Sequence, residues 1–468
     1  MQVPLLKGDT VDDNVEYRDA LMTNMFAINR KVLGAGGYVI NYFGLSDFTT
    51  GEGIDRGCIW VSRDGLDNHY RVSGTNLIAV ASDGTTVVLG TIPGSEQVSM
   101  AYSFNNLAIV ADGNLYYYNL TDGFREITDP DIGSPIDIVW VDGYFFLTDG
   151  ESIYHSNITD EELFEPLAFA NAEFIPDPSQ GLGKTEDNEV AVFGSFSTEY
   201  VVNVAGDPFA FQRITRKANK LGILGTHCKK ELNGKWYVLG RRKETSPSFH
   251  IVSIGNEQSF SSRETDKILA TYTVDELSTT TMDTFTIDNV TMIVFHLPNH
   301  TLCFNESLAA TQGIEAAWTI LKTDVLGDLT YRAKNMLLDP RSGKWLIGDK
   351  RDNHIGELDR SKATHYGEIA EWLMFTPFMK LESLSIDKIE LETIPGVAPD
   401  EDATVFVSHT FNGRLYGKEW RQLYGDNNEY DQRFYIRRWG YVRDYIGLKF
   451  RGASRSRMAF ANLDLEAS

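Results

Sequence analysis

Few residues in this 468-residue chain combine type and spacing in a way that suggests chemistry. Gly181-Leu182-Gly183-Lys184-Thr185 has the closing half of a phosphate-cradling loop, where backbone N–H groups and a lysine surround a nucleotide's phosphates. Pro178 stands where that loop needs its first glycine, and no helical pattern follows, so the segment reads as a glycine-rich connector. Gly34-Ala35-Gly36-Gly37 precedes an extended run instead of opening a helix, which removes the dinucleotide fingerprint. Gly194-Ser195-Phe196-Ser197-Thr198 lacks the second glycine of a nucleophile elbow.

His296 and His300 have the spacing of two metal ligands on one helical face, but Pro298 lies between them and strand-like runs flank them. They are expected to bracket a hairpin turn. His227-Cys228 has no second ligand pair and reads as a packed core pair. Cys58, Cys228 and Cys303 are too few and too far apart for a disulfide framework or a thiolate zinc site. The many Asp-Gly and Asp-Pro loops hold carboxylates that glycoside hydrolysis would need in pairs. Ser62-Arg63-Asp64-Gly65 breaks the spacing of the sialidase aspartate box, and most of these acids read as turn residues. Trp60, Trp140, Trp236, Trp345 and Tyr116-Tyr117-Tyr118 resemble a sugar-stacking platform, yet they fall mid-strand, where inter-blade packing is expected. No catalytic, cofactor-binding or metal-ligating residue is therefore assigned.

The elements that would position such residues are strands. Short Val/Ile/Tyr/Phe/Thr runs are cut by Asp-Gly, Asn-Gly and Asn-Asn, residues that tolerate the positive φ of tight hairpins. Units recur every 35–55 residues or so, the range of four-stranded propeller blades. They centre on Arg56–Leu89, Val98–Leu120, Ile138–His155, Glu189–Val202, Asn233–Val252, Met292–Phe304 and Lys344–Leu358. Helices are expected only near Asp160–Ala168 and Ser307–Ala317. The fold class is mainly β: a six- to seven-bladed β-propeller over 51–370, followed by a C-terminal β-sandwich over 371–468. Residues 1–50 form an extended segment that docks on the C-terminal domain or a neighbouring subunit. The loop Pro395–Asp402, with two prolines and three acids, is expected to be exposed.

Hydrophobic residues make up 42% of the chain and aromatics 12%, enough for a real core. The net charge of −23 argues against a polyanion-binding surface spread over the whole molecule. No signal peptide and no run long enough to cross a membrane are visible, so a cytoplasmic, membrane-free protein is expected. Against this acidic background the segment from Arg414 to Arg457 is basic. Arg437, Arg438, Arg443, Arg455 and Arg457 interleave with Trp439 and Tyr441 as an arginine–aromatic docking face for a protein partner.

Several segments together resemble the packaged-DNA-stabilisation, or tail-accessory (tail hub, nozzle), proteins of short-tailed lambdoid phages of the Salmonella type. They are Leu5-Leu6-Lys7-Gly8, Glu16–Met25, Gly37-Tyr38 with Phe43-Gly44-Leu45, Ile293–Leu302, Trp318–Thr323, Thr330-Tyr331-Arg332, Met374–Phe378 and Gly440–Arg443. The resemblance spans nearly the whole chain; His-Leu-Pro-x-His and Phe-Thr-Pro are its most specific pieces, while Asn105–Asp160 matches weakly. It implies a structural virion protein without catalytic residues or cofactors. In that family the protein assembles on the tail in the host cytoplasm as a homo-hexamer, below the portal and its ring-shaped adaptor. It extends the DNA channel, is plugged by a tail needle, neighbours the tailspike and retains packaged double-stranded DNA until ejection, without sequence-specific binding. The alternative is a propeller glycan hydrolase or glycan-binding protein acting on the host surface.

Overall fold

A computed structural model describes the chain except residues 1, 4, 6–7, 12–16, 33, 64–65, 67, 172–173, 215–216, 395–402, 426–428 and 430–432, together with the side chains of 8–11 and 17–19. The aspartate-box residues Asp64 and Gly65 and the acidic loop Pro395–Asp402 lie outside the described residues.

Two-residue turns set the register of the hairpins. Asp112-Gly113, Asp142-Gly143, Asn233-Gly234 and Asp288-Asn289 all have positive φ at both positions. That geometry matches the right-handed twist of the strands they join. The resulting meanders build seven small sheets around one axis. Blades 1 to 6 begin with the strands Asp55–Val61, Ser99–Tyr102, Asp137–Val141, Ser179–Lys184, Lys229–Leu232 and Thr281–Ile287, apart from the two-residue strand Gly222–Ile223 that precedes Lys229–Leu232 in blade 5. Blade 7 begins with Ala333–Asp339. These first strands lie innermost, and most touch their counterparts in the neighbouring blades.

The seams between successive blades are mostly apolar. Leu77 and Val72 meet Leu107 and Tyr116 between blades 1 and 2, and Tyr117 meets Phe145 between blades 2 and 3. Phe146 meets Phe211 between blades 3 and 4. Phe193, Tyr237, Phe249, Phe295 and Trp318 run through blades 4 to 6. The seam that closes the ring, between blades 7 and 1, has a smaller apolar cluster among the described residues, Ile78, Val80 and Ile355 with the half-buried Phe48 packed against them. There the fully buried Arg71 donates to Asp55 Oδ2 (2.7 Å), Asn335 O (3.0 Å) and Leu346 O (3.1 Å).

The N-terminal segment departs from the expected boundary at residue 51. Gly44–Thr50 is the fourth strand of blade 7, antiparallel to His354–Asp359, and the two-residue strands Thr364–His365 and Glu368–Ile369 continue the sheet beyond it. The three strands inside it come from after blade 6, so the four-stranded blade, and with it the ring, is completed by chain that precedes blade 1. Upstream, Met25–Ile28 and Tyr38–Asn41 extend a sheet ordered Phe434–Val442, Leu384–Thr393, Ala459–Ala467, Tyr38–Asn41, Met25–Ile28. Met22–Thr23 lies parallel to Trp318–Asp324 of blade 6 and antiparallel to Trp372–Phe375 of the sandwich. Through that two-residue bridge, blade 6 and the second sandwich sheet become one eleven-stranded sheet.

Asn24 secures the bridge. It is left-handed (φ 55°) and buried. Its Nδ2 donates to Lys322 O (2.9 Å) and Glu371 O (2.6 Å), and its Oδ1 accepts from Lys322 N (2.8 Å). One side chain thus joins three segments that are distant in sequence. The sandwich core packs Met22, Met25 and Val39 from the N-terminal segment against Trp372, Ile389, Phe450 and Leu463.

Two helix expectations resolve differently. Ser307–Ala317 contains the helix Glu306–Gln312 and a single turn at Ile314–Ala316. Asp160–Ala168 is instead a turn leading into the strand Phe164–Ala170, because the edge of blade 3 needs a fourth strand and tertiary pairing overrides its Glu/Leu composition. Helices at Arg263–Leu269 and Val274–Ser278, each opened by a capping box, were not anticipated.

Asn24→Ala should lower the midpoint of thermal unfolding of the full chain by several degrees, at a cost of about 3 kcal/mol, because two buried carbonyls and one N–H lose their partner. Asn24→Gly keeps the left-handed backbone and should still lose about 2 kcal/mol.

Candidate functional site: the propeller channel and the sandwich edge

The innermost strands enclose a cavity of about 480 Å³ along the axis. Its wall includes Cys58, Trp60, Gln97, Asp137, His227, Lys229, Lys230, Glu231, Trp236, Thr281 and Asp283. Three wall or near-wall carboxylates are engaged in joining blades. Asp55 accepts from Arg71 and from Asn335 Nδ2 (2.5 Å), crossing from blade 1 to blade 7. Asp137 accepts from Leu182 N (2.7 Å) of blade 4 and from Lys229 Nζ (2.7 Å) of blade 5. Asp283 accepts from His296 Nε2 (2.8 Å), Asn335 N (2.8 Å) and Met336 N (3.0 Å), linking blades 6 and 7. Burial alone would raise Asp283, but the His296 contact and the backbone donors outweigh it and hold the carboxyl below its usual range. Carboxylates bound in this way act as stitches between inner strands.

The motif candidates resolve as architecture. Ser179–Lys184 is the first strand of blade 4 and not a connector. A side chain on Gly183 would run into the Trp236 ring, so glycine serves close blade-to-blade approach there. His296 ends one strand and Thr301 begins the next, so His296 and His300 bracket a turn. His296 faces Asp283, whereas the His300 ring contacts Tyr272. No cluster of three metal-ligating side chains occurs among the described residues. The three cysteines are free thiols, each pushed up to about 12 chiefly by burial.

The aromatic candidates pack between blades. Trp236 meets Phe193 edge-on at 5.2 Å, Trp140 lies under Lys184, and Trp60 lies under Arg341. Trp345 Nε1 donates to Thr286 O (3.2 Å). Tyr117 Oη donates to Glu161 O (2.8 Å) of the blade 3 loop, and Tyr116 stacks on Phe124.

The C-terminal arginines do not share one face. The strand Phe434–Val442 is a sheet edge, and Arg437, Arg438 and Tyr441 are exposed along it. Its pairing with Leu384–Thr393 shifts between Ile386 and Lys388, so Arg438 and Trp439 together oppose Asp387. Arg438 adopts φ 55° in this bulge. The bulge turns Trp439 toward His409 (5.2 Å) and Trp420 (6.0 Å), where it packs against the sandwich core. Arg443 is 85% exposed beside Asp444, and Arg455 is exposed on a turn. Arg457 instead points toward the propeller, 6.0 Å from the Phe43 ring, and burial pulls its pKa down. Two other basic residues pair internally, Arg433 with Glu390 and Arg451 with Glu371 and Glu419. Arg437 and Arg438 are in no ion pair among the described residues.

Pattern reading passed over Asn24, Arg71 and Lys230. Lys230 carried a visible signal, since Lys229-Lys230-Glu231 is a charged innermost strand where the corresponding strands of other blades are largely apolar.

A seven-bladed propeller joined through a shared sheet to a β-sandwich, with its channel carboxylates used as stitches, defines a propeller–sandwich protein. The chain belongs to the bacteriophage P22 Gp10 family: its β-propeller part matches residues 1–363 and its β-sandwich part residues 371–468. The tail hub protein gp10 of Salmonella phage P22 is 28% identical over 474 residues, covering 97% of each chain. Among solved structures, virginiamycin B lyase from Staphylococcus aureus superposes with a TM-score of 0.44 at 8% identity, over 67% of this chain and 98% of that one. The Pan2 WD40 domain of Neurospora crassa gives 0.41 at 7% identity, over 67% and 95%.

Two predictions follow from these stitches. Arg71→Met should destabilise the protein by about 3–5 kcal/mol, read as a lowered unfolding midpoint, because it leaves Asp55 buried without its cation. The second concerns acid. Burial pushes His296 and His250 down to about 4 and His365 down to about 3. Below about 6.5 the unfolded chain protonates these rings while the native chain keeps them neutral. The unfolded state then binds more protons, so the unfolding midpoint should fall steadily from pH 6.5 to pH 4.5.

Proposed function

We propose that this chain is a structural component of a short phage tail, assembling as a homo-hexameric ring below the portal and its adaptor ring. There it extends the DNA channel, meets the tail needle and tailspike, and retains packaged DNA until ejection. One observation carries the reading: 28% identity along 97% of both chains to a tail hub protein, without a large insertion or a missing domain.

The physics of the chain is compatible with that role. Residues 1–370 carry 30 basic and 51 acidic side chains, and residues 371–468 carry 13 and 15, so the negative charge is concentrated in the propeller. Six copies around a channel would surround DNA with an anionic wall, along which it slides without adhering. The near-neutral sandwich presents its cations on an edge strand, where arginine forks and aromatic side chains can meet carboxylates of a neighbour. Arg438 holds a left-handed conformation that costs a non-glycine residue about 1 kcal/mol, a cost consistent with selection for its side chain.

The test is assembly. Tail-less, DNA-filled particles should take up the wild-type protein and retain their DNA. Arg437→Ser with Arg438→Gly should keep the unfolding midpoint and reduce uptake at least tenfold at low salt, with the difference from wild type narrowing as salt rises and screens the wild-type contacts. Normal uptake and retention by this variant would remove the edge strand from the docking surface. Release of oligosaccharide from host-surface polysaccharide by the purified chain would favour the glycan-hydrolase alternative. Free in solution the chain should scatter light as a monomer, because like-charged propellers repel until a platform orients them.

A further inference from the structure

Two distant edges of the molecule are locally opposite in charge, and each exposes apolar side chains. Between Arg125 and Lys184 the chain has thirteen acids and no lysine or arginine. That stretch holds all of blade 3, whose outermost strand is Phe164–Ala170. On this strand Leu167 is 69% and Phe169 50% exposed, and Leu163 precedes it at 45%. Apolar side chains grouped along one edge, unlike scattered ones, mark a contact surface. Glu165 lies among them, accepts from Asn157 Nδ2 (3.1 Å) and forms no ion pair among the described residues. Blade 3 stands across the ring from blades 6 and 7, the two that carry the sandwich. There the charge reverses: from Arg433 to Arg457 the chain has eight cations and one acid, Asp444. Arg433 and Arg451 pair internally, whereas Arg437 and Arg438 stay exposed on the sandwich edge Phe434–Val442. Beside them Tyr435 and Tyr441 are 38% and 61% exposed.

We propose that the outer edge of blade 3 docks on the sandwich edge Phe434–Val442 of a second copy of this chain. Leu167 and Phe169 meet Tyr435 and Tyr441, and Glu165 meets Arg437 and Arg438. This contact rests on the ring proposed above and joins its subunits. The two surfaces complement each other in charge, and both bring apolar area, as an interface with an apolar centre and a charged rim requires. They lie on opposite sides of one molecule, so the contact is head-to-tail and repeats with the same residues from copy to copy. Each edge is also blunted against a continued ladder, one by Pro166, which lacks an N–H, and the other by the bulge at Arg438. Two such edges meet through side chains, which keeps the pairing from growing into an open sheet. A single contact of this kind is weak, and a ring closes by combining several.

The full-length chain is given one exposed cysteine, Asn171→Cys, just beyond Phe169, and labelled there with a benzophenone maleimide. The native thiols are pushed up to about 12 by burial and stay unlabelled. Irradiation at low ionic strength, where opposite charges are least screened, should trap a covalent dimer. Mass spectrometry should place the acceptor within Phe434–Val442. Glu165→Arg and Arg437→Glu should each lower the dimer yield at least about fivefold with the thermal midpoint unchanged, and the two together should restore most of it. Leu167→Asp should lower the yield without recovery in either charge background. An acceptor on any other surface, or a yield indifferent to both reversals, would overturn the proposal. Uptake by tail-less, DNA-filled particles separates this contact from the ring itself. Normal uptake with no adduct between the two edges, in solution or on the particle, sinks the contact and leaves the ring. The mapped adduct in solution without any uptake supports the contact and counts against the ring.

Discussion

The seven residues Gly44–Thr50 complete the ring of blades, and the twenty-odd residues before them bind that ring to the sandwich. A propeller's last seam must join chain ends, so its strength cannot come from local hairpins. Here the fourth strand of blade 7 is supplied from upstream of blade 1, which makes ring closure a pairing across some three hundred residues. The same stretch provides Met22–Thr23, inserted between blade 6 and the sandwich, and the sheet Met25–Asn41 laid against the C-terminal strand. Removing this segment would open the propeller and free the sandwich at once.

The polar chemistry of the closing seam follows from that constraint. Apolar surfaces between blades 1 to 6 are made by neighbours in sequence and pack as each blade forms. At the 7–1 seam, Arg71 is surrounded by a carboxylate and a histidine of its own blade and by two carbonyls of blade 7, and the two carbonyl contacts depend on correct closure. A buried guanidinium N–H without an acceptor is unfavourable, so a ring closed with the wrong strand or register is penalised. The two carbonyl contacts of Arg71 thereby favour one closed ring over alternatives that would bury similar apolar area.

The shared sheet makes the propeller and the sandwich one continuous hydrogen-bonded unit. The eleven-stranded sheet transmits position from blade 6 to the far edge of the sandwich without a flexible linker. Under the proposed function, a sandwich that docks at one end of the ring would fix the orientation of its propeller. The same rigidity accounts for the engaged carboxylates of the channel, where joining inner strands leaves them little freedom for acid–base work.

Local chemistry determined the elements from sequence alone. Period-two runs and positive-φ turns such as Asp142-Gly143 and Asn233-Gly234 define strands and hairpins within a few residues, so the blade repeat and a strand-rich sandwich after residue 371 were legible. Tertiary structure decided what depends on partners distant in the chain. Nothing local in Gly44–Thr50 marks it as the fourth strand of a blade that begins at residue 333. Asn24 reads as a turn residue until Lys322 and Glu371 are brought to it. The arginine cluster was visible as composition, but a bulge at Arg438 and the contact of Arg457 with the propeller divided it, because side-chain direction depends on register. Long-range pairing and burial, which sequence pattern does not encode residue by residue, decided which of the charged groups became stitches and which remained exposed.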